Sequence, residues 1–165
     1  MVERQPDERL VQQCAGRRRR HRLRRWRGPH ATLYAFDAET GDERWQFSPG
    51  EDASGDWTSA AVHDGTVYAG FQTNDGGVSD QVVAVDAADG SKQWANTDTP
   101  ALRTPAVAGG VVYVGNGALD AADGATLWSH EDADVDTTAG STAAVVGDTV
   151  YTGGKAVTAL TGDSR

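Results

Sequence analysis

The sequence predicts an all-β chain built from short repeated units, and three observations carry that prediction. An eleven-residue pattern occurs three times without gaps: Ala35-Phe-Asp-Ala-Glu-Thr-Gly-Asp-Glu-Arg-Trp45, Ala84-Val-Asp-Ala-Ala-Asp-Gly-Ser-Lys-Gln-Trp94 and Ala118-Leu-Asp-Ala-Ala-Asp-Gly-Ala-Thr-Leu-Trp128. A second element alternates with it, reading Val67-Tyr-Ala-Gly70, Val112-Tyr-Val-Gly115 and Val150-Tyr-Thr-Gly153. No stretch shows the 3.6-residue apolar period of a helix.

Each piece has a local physical reading. Val-Tyr-x-Gly, and the stretches ending at Asp37, Asp86 and Asp120, are short, rich in β-branched and aromatic residues and bounded by turn residues, so they read as strands. Gly41, Gly90 and Gly124 stand where the chain must reverse. Glycine there permits a positive φ, and the Asp four residues earlier can accept hydrogen bonds from turn N–H groups. Asp64-Gly65, Gly109-Gly110 and Gly147-Asp148 are two-residue hairpin signals. They follow the small-residue runs Thr58-Ser-Ala-Ala-Val62, Thr104-Pro-Ala-Val107 and Ser141-Thr-Ala-Ala-Val-Val146.

Four short antiparallel strands per repeat describe a propeller blade. The motif tryptophans are 49 and 34 residues apart, which suits one blade per copy. The expected fold is therefore a partial β-propeller of about three four-stranded antiparallel blades. Complete blades are expected near 57–96 and 103–129, with 31–47 the outer half of a preceding blade and 140–160 most of a following one.

The pattern Ala-x-Asp-x-x-Thr-Gly-x-x-x-Trp resembles the tryptophan-docking repeat of the pyrroloquinoline-quinone (PQQ) propeller family. The resemblance covers residues 31–165, and in its acidity the chain is similar to haloarchaeal propellers. It implies that Trp45, Trp94 and Trp128 are clamps between blades. Each would pack between its own motif's glycine peptide (Gly41, Gly90, Gly124) and the alanine of the next repeat, drawn from Ala35, Ala84 and Ala118. A large ring suits such a side-chain-free seat. The chain departs from the pattern in its fourth copy, Ala159-Leu-Thr-Gly162, which lacks the Asp-Ala segment, and at position six, where Asp89 and Asp123 replace Thr40. A closed propeller has about four to eight blades, so missing blades are expected from upstream or downstream sequence.

Charge divides the chain. Residues 1–30 hold ten arginines and three acids, a net of +7, whereas residues 31–165 hold five basic residues and 21 acids, a net of −16. The acidic body would repel phosphates, which argues against nucleic acid as its partner. It reads as a halophile-type surface, kept soluble by self-repulsion. The block Arg17-Arg-Arg-Arg-His-Arg-Leu-Arg-Arg-Trp-Arg27 stands where the repeat calls for a Val-Tyr-x-Gly strand. Residues 1–30 are thus read as an Arg-rich segment, either non-native, from a start codon in the wrong frame, or a disordered basic arm. Propeller repeats in another frame of the upstream DNA would support the first reading.

Candidate chemistry is sparse. Cys14 is the single cysteine, so neither a disulfide within the chain nor a cysteine-based metal site can form. His21, His30, His63 and His130 have no second ligand at zinc spacing. His63-Asp64 reads as a solvated turn pair. Asp132-Ala-Asp-Val-Asp136 has the look of a calcium loop, but its sixth position is Thr137 and its twelfth Ala143, which excludes an EF-hand. Gly76-Gly77 reads as a hairpin tip, and there is no G-x-S-x-G or phosphate-cradling glycine loop. No catalytic, cofactor-binding or metal-binding residue is therefore expected.

Quinoprotein dehydrogenases of the PQQ family use eight blades, a calcium ion, a catalytic Asp and a vicinal disulfide. The chain has one cysteine and too few blades, so no cofactor residue carries over. PQQ and calcium are expected only if the parent propeller is a quinoprotein. The expected function is a non-enzymatic scaffold that binds a protein, ligand or polymer at a propeller face. Two alternatives stay open: a remnant of a PQQ-dependent quinoprotein dehydrogenase, and a non-functional truncated reading frame. No apolar run is long enough to span a bilayer or to serve as a signal peptide. The chain as written is expected in the cytoplasm, and its parent protein outside it.

Overall fold

The computed structural model describes residues 31–51, 53–74, 78–99, 103–115, 117–129, 142–147, 149–153 and 157–161. The Arg-rich segment 1–30, Gly76-Gly77 and the acidic loop at 132–136 lie outside the described residues. Among those described, every regular element is a strand and every pairing is antiparallel.

Four sheets follow one another along the chain. The first holds β1 (Leu33–Phe36) and β2 (Glu43–Phe47). The second runs from β3 (Gly55–Trp57) through β5 (Thr66–Thr73) and β6 (Gln81–Asp86) to β7 (Lys92–Asn96), with β4 (Ala61–His63) also on β5. The third orders β8 (Ala106–Ala108), β9 (Val111–Val114), β10 (Gly117–Asp120) and β11 (Thr126–Ser129) as a meander. The fourth has β12 (Ala144–Val146), β13 (Thr149–Gly153) and β14 (Val157–Thr161). Among the described residues the array is an open set of propeller blades, two of them whole and two partial.

Turn chemistry explains the meander. Asp64 and Gly65 take φ of 45° and 74°, and Gly109 and Gly110 take 57° and 76°. Positive φ at both central residues is the type I′ turn, whose twist matches that of the flanking strands. The register follows: His63 faces Thr66, and Ala108 faces Val111. The second sheet breaks this regularity. Its inner strand is split into β3 and β4, and in the gap Thr58 N–H donates to the Gly70 carbonyl while Thr58 Oγ1 accepts from Gly70 N–H.

The core lies between blades as well as within them. Tyr68, Val82, Ala84 and Trp94 of the second sheet pack with Val112, Val114 and Leu119 of the third. Trp45 packs with Val67 and Val85 where the first sheet meets the second. Each of these clusters is centred on a motif tryptophan. Burying such side chains contributes about 1.5–3 kcal/mol each, so the blades are held together mainly by contacts that a single blade cannot make alone.

Candidate functional site

The outer turn of each motif is a small, rigid cup. Asp37 Oδ1 accepts from the N–H of Glu39 at 2.9 Å and of Thr40 at 3.0 Å. Asp86 and Asp120 do the same for Ala88 and Ala122 at 2.7 and 2.8 Å. Position six supplies a second acceptor two residues on. Thr40 Oγ1 accepts from Asp42 N–H at 3.2 Å, Asp89 Oδ1 from Ser91 N–H at 2.8 Å and Asp123 Oδ1 from Ala125 N–H at 2.9 Å. The Thr-to-Asp departures thus leave the turn intact, because hydroxyl and carboxylate fill the same acceptor role. The backbone N–H groups of Thr40 and Glu39 hold Asp37 below the usual carboxylate pKa range, and that of Ser91 does the same for Asp89.

The glycine closing each turn is a seat for an indole. Gly41, Gly90 and Gly124 donate to the carbonyls of Asp37, Asp86 and Asp120 at 2.8, 2.9 and 2.9 Å, with φ of 76°, 74° and 75°. A Cβ on Gly90 would stand 2.7 Å from the Trp45 ring, and one on Gly124 would stand 2.5 Å from the Trp94 ring. The indole N–H of Trp45 donates to the Ala87 carbonyl at 2.9 Å, and that of Trp94 to the Ala121 carbonyl at 3.0 Å.

This geometry corrects the expected seating. Trp45 and Trp94 each lie on the glycine of the following repeat, while the alanine each motif tryptophan faces belongs to its own motif: Ala35 pairs with Trp45, Ala84 with Trp94 and Ala118 with Trp128. The reason is the register. A bulge immediately after each Ala–Trp pair leaves Arg44, Gln93 and Leu127 without a cross-strand partner. Such a bulge bends the strand and re-aims its side chains.

One seat differs from the others. Among the described residues nothing lies within 4 Å of the position a Cβ would take on Gly41. The cup at Asp37–Gly41 is therefore formed and capped like its two counterparts, but no ring of the described residues rests on it.

Two residues that the motif did not single out also bridge blades. Tyr68 Oη donates to the Ala121 carbonyl at 3.3 Å, sharing that acceptor with Trp94. Asn96 Nδ2 donates to the Gly124 carbonyl at 2.9 Å and to Thr126 Oγ1 at 3.1 Å, while its Oδ1 accepts from the N–H of Asp98 and Thr99. The recurring tyrosine of Val-Tyr-x-Gly was a signal for the first. Nothing signalled Asn96, because the residue two places after the tryptophan is Phe47 in one other copy and His130 in the next.

The inner strands form a second surface. β4 lies beside β8, and β8 beside β12. Val62 and Val146 on this strip are 66% and 67% exposed, while Ala106, Val107 and Ala108 between them are half-buried. His63 Nε2 lies 3.4 Å from Asp64 Oδ2 at an exposed turn, as a solvated pair should.

No three His, Cys, Asp or Glu side chains come together among the described residues. A vicinal disulfide cannot be drawn from the single Cys14.

A family model described as outer membrane protein assembly factor BamB matches residues 29–164. The chain belongs to this BamB-like family of PQQ repeats. Among solved structures, BamB from Moraxella catarrhalis is similar, with a TM-score of 0.58 and 19% identity over 81% of this chain and 40% of the BamB chain. The computationally designed Ika4 protein is similar to the same degree, with a TM-score of 0.58 and 18% identity over 79% of each chain. Both likenesses show the propeller fold. The chain spans well under two thirds of the length of the Moraxella BamB it matches. No curated protein matches the sequence. Among the described residues no helix is long and apolar enough to cross a membrane.

Proposed function

We propose that this BamB-like propeller segment is a non-enzymatic scaffold, part of a larger propeller surface, that binds a protein segment along its inner strands. The observation that carries the reading is where the motif chemistry goes. Trp45 and Trp94, Asp37, Asp86 and Asp120, and Gly90 and Gly124 are all used in turns and inter-blade contacts. Their roles are architectural, and architecture alone confers no reaction. The exposed apolar residues Val62 and Val146 lie on the inner-strand strip, where a partner can gain from burying them. The family description, an assembly factor for outer membrane proteins, supports a protein as that partner.

A photo-crosslinking residue at Val62 or Val146, compared with one at Glu39 on an outer turn, tests the location. Peptide adducts concentrated on the inner strip are expected, and equal labelling of the outer turn would refute it. Titration with PQQ and calcium, followed by absorbance and dye reduction, tests the chemistry. Saturable quinone binding would favour a dehydrogenase remnant instead.

A further inference from the structure

Among the described residues three aspartates precede a glycine: Asp64-Gly65, Asp89-Gly90 and Asp123-Gly124. The pair is chemically labile, because glycine has no Cβ to obstruct its own N–H and its backbone turns freely. The glycine nitrogen attacks the side-chain carbonyl carbon of the protonated aspartate. An N–C bond forms, the C–OH bond breaks, and the hydroxyl leaves with the amide hydrogen as water. A second water opens the cyclic imide, at one carbonyl to restore aspartate and at the other to give isoaspartate. The main chain of the isoaspartyl product runs through the side-chain carboxyl carbon and is one methylene longer.

Two of the pairs arise from the motif's change at position six, where Asp89 and Asp123 stand in place of Thr40. Both are locked. Gly90 N–H donates to the Asp86 carbonyl and Gly124 N–H to the Asp120 carbonyl, each at 2.9 Å, so the attacking nitrogen is engaged. Asp89 Oδ1 accepts from Ser91 N–H and Asp123 Oδ1 from Ala125 N–H, which turns each carboxyl past the glycine to the residue beyond. The Trp45 ring covers Gly90, and the Trp94 ring covers Gly124. Imide formation at either cup therefore requires the turn to open against its ring, a local unfolding step.

Asp64-Gly65 has none of these locks. The Asp64 side chain is 91% exposed, and its contact with His63 Nε2, 3.4 Å away at the surface, holds it weakly. Among the described residues no hydrogen bond holds the Gly65 N–H, and nothing lies within 4 Å of a Cβ placed on Gly65. Asp64 is also the only non-glycine among them with a positive φ, at 45°. An L residue is strained there, and the longer isoaspartyl linkage is released from that restriction. The corresponding turn of the third sheet, Gly109-Gly110, has no carboxyl to react.

We propose that Asp64-Gly65 is a site of spontaneous isoaspartate formation in the folded protein, and that the tryptophan-covered cups protect Asp89 and Asp123 from the same reaction. The product lengthens the loop between β4 and β5, where His63 faces Thr66 and Val62 faces Val67. It also presents an exposed isoaspartyl carboxyl, the substrate class of protein isoaspartyl methyltransferases. The inference rests on turn geometry, not on the proposed partner-binding strip.

A comparison of the three pairs within one chain tests it. The whole chain is incubated at neutral pH in heavy-oxygen water, folded and, in parallel, unfolded in urea. Peptide mapping reads, at each pair, the heavy oxygen taken up when the imide reopens and the isoaspartate formed. Methyl transfer by an isoaspartyl methyltransferase counts the product independently. In the folded chain isoaspartate should build up at Asp64 about tenfold to a hundredfold faster than at Asp89 or Asp123, because hydrogen bonds and a ring contact must open first at the cups. In urea the three rates should converge. Equal rates in the folded chain, or a higher rate at either cup, would overturn the proposal, as would a preference for Asp64 that persists unchanged in urea.

Discussion

The junction between the second and third sheets differs from that between the first and second, although both are built on the same motif. At the later junction Trp94 lies on Gly124, Tyr68 and Trp94 share the Ala121 carbonyl, and Asn96 ties β7 to the turn beyond. At the earlier junction Trp45 lies on Gly90 and donates to Ala87. There the place of Asn96 is taken by Phe47, which packs edge-on against Trp57 at 6.1 Å. The tryptophan clamp is common to both, and the strength of a junction is set by what the inner strands and the residue after the clamp add to it.

Removing the ring tests that difference with the largest expected effect. Trp94→Ala should cost about 4–5 kcal/mol and Trp45→Ala about 3 kcal/mol in urea unfolding, since buried aromatic truncations cost about 3–5 kcal/mol and, among the described residues, fewer buried side chains pack with Trp45. Equal losses would mean that the inner strands contribute nothing to the later junction.

Filling the seat comes next. Gly124→Ala should cost about 2–3 kcal/mol, from the collision with Trp94 together with a φ of 75°. Gly65→Ala, with similar φ and open space, should cost about 1 kcal/mol. Thermal melts of the pair separate backbone strain from seating.

Asn96→Ala should cost about 1–3 kcal/mol, because it strands the Thr99 N–H and the Gly124 carbonyl in a buried position. Phe47→Ala at the earlier junction provides the comparison. An asparagine loss that proved additive with Trp94→Ala in a double-mutant cycle would show that the two bridges act independently.

The smallest effect concerns the caps. The carboxyl groups of Asp37 and Asp89 are held below the usual carboxylate range by backbone N–H groups. A depressed folded-state pKa contributes stability above the unfolded-state value and loses it as pH falls through the folded-state one. Asp89→Asn should therefore lower the melting temperature slightly at neutral pH and converge on the wild-type value at acid pH, flattening the acid limb. Asp89 is exposed and Asp37 only partly buried, so the change should be small.

Much of the architecture was legible in the sequence because it is local. The type I′ turns at Asp64-Gly65 and Gly109-Gly110 require positive φ at two successive residues, and the dipeptides announce it. The Asp-x-x-x-Gly cups are equally local, since the hydrogen bonds that close them span two to five residues. The split of the inner strand at Thr58 was not legible, because it depends on hydrogen bonds to Gly70 across the sheet. The Asn96 bridge had no periodic counterpart to reveal it.

By itself the sequence determined that this chain folds as repeated antiparallel blades and where the turns fall. Hydrophobic alternation, glycine conformational freedom and side-chain caps act within a few residues and can be read in order. Only the tertiary structure decided which glycine each tryptophan meets. Trp45 lies on Gly90 rather than Gly41 because a bulge in the strand pair aims the ring at the neighbouring blade, a consequence of register and twist between strands. Among the described residues that same decision leaves the cup at Gly41 formed with no ring on it.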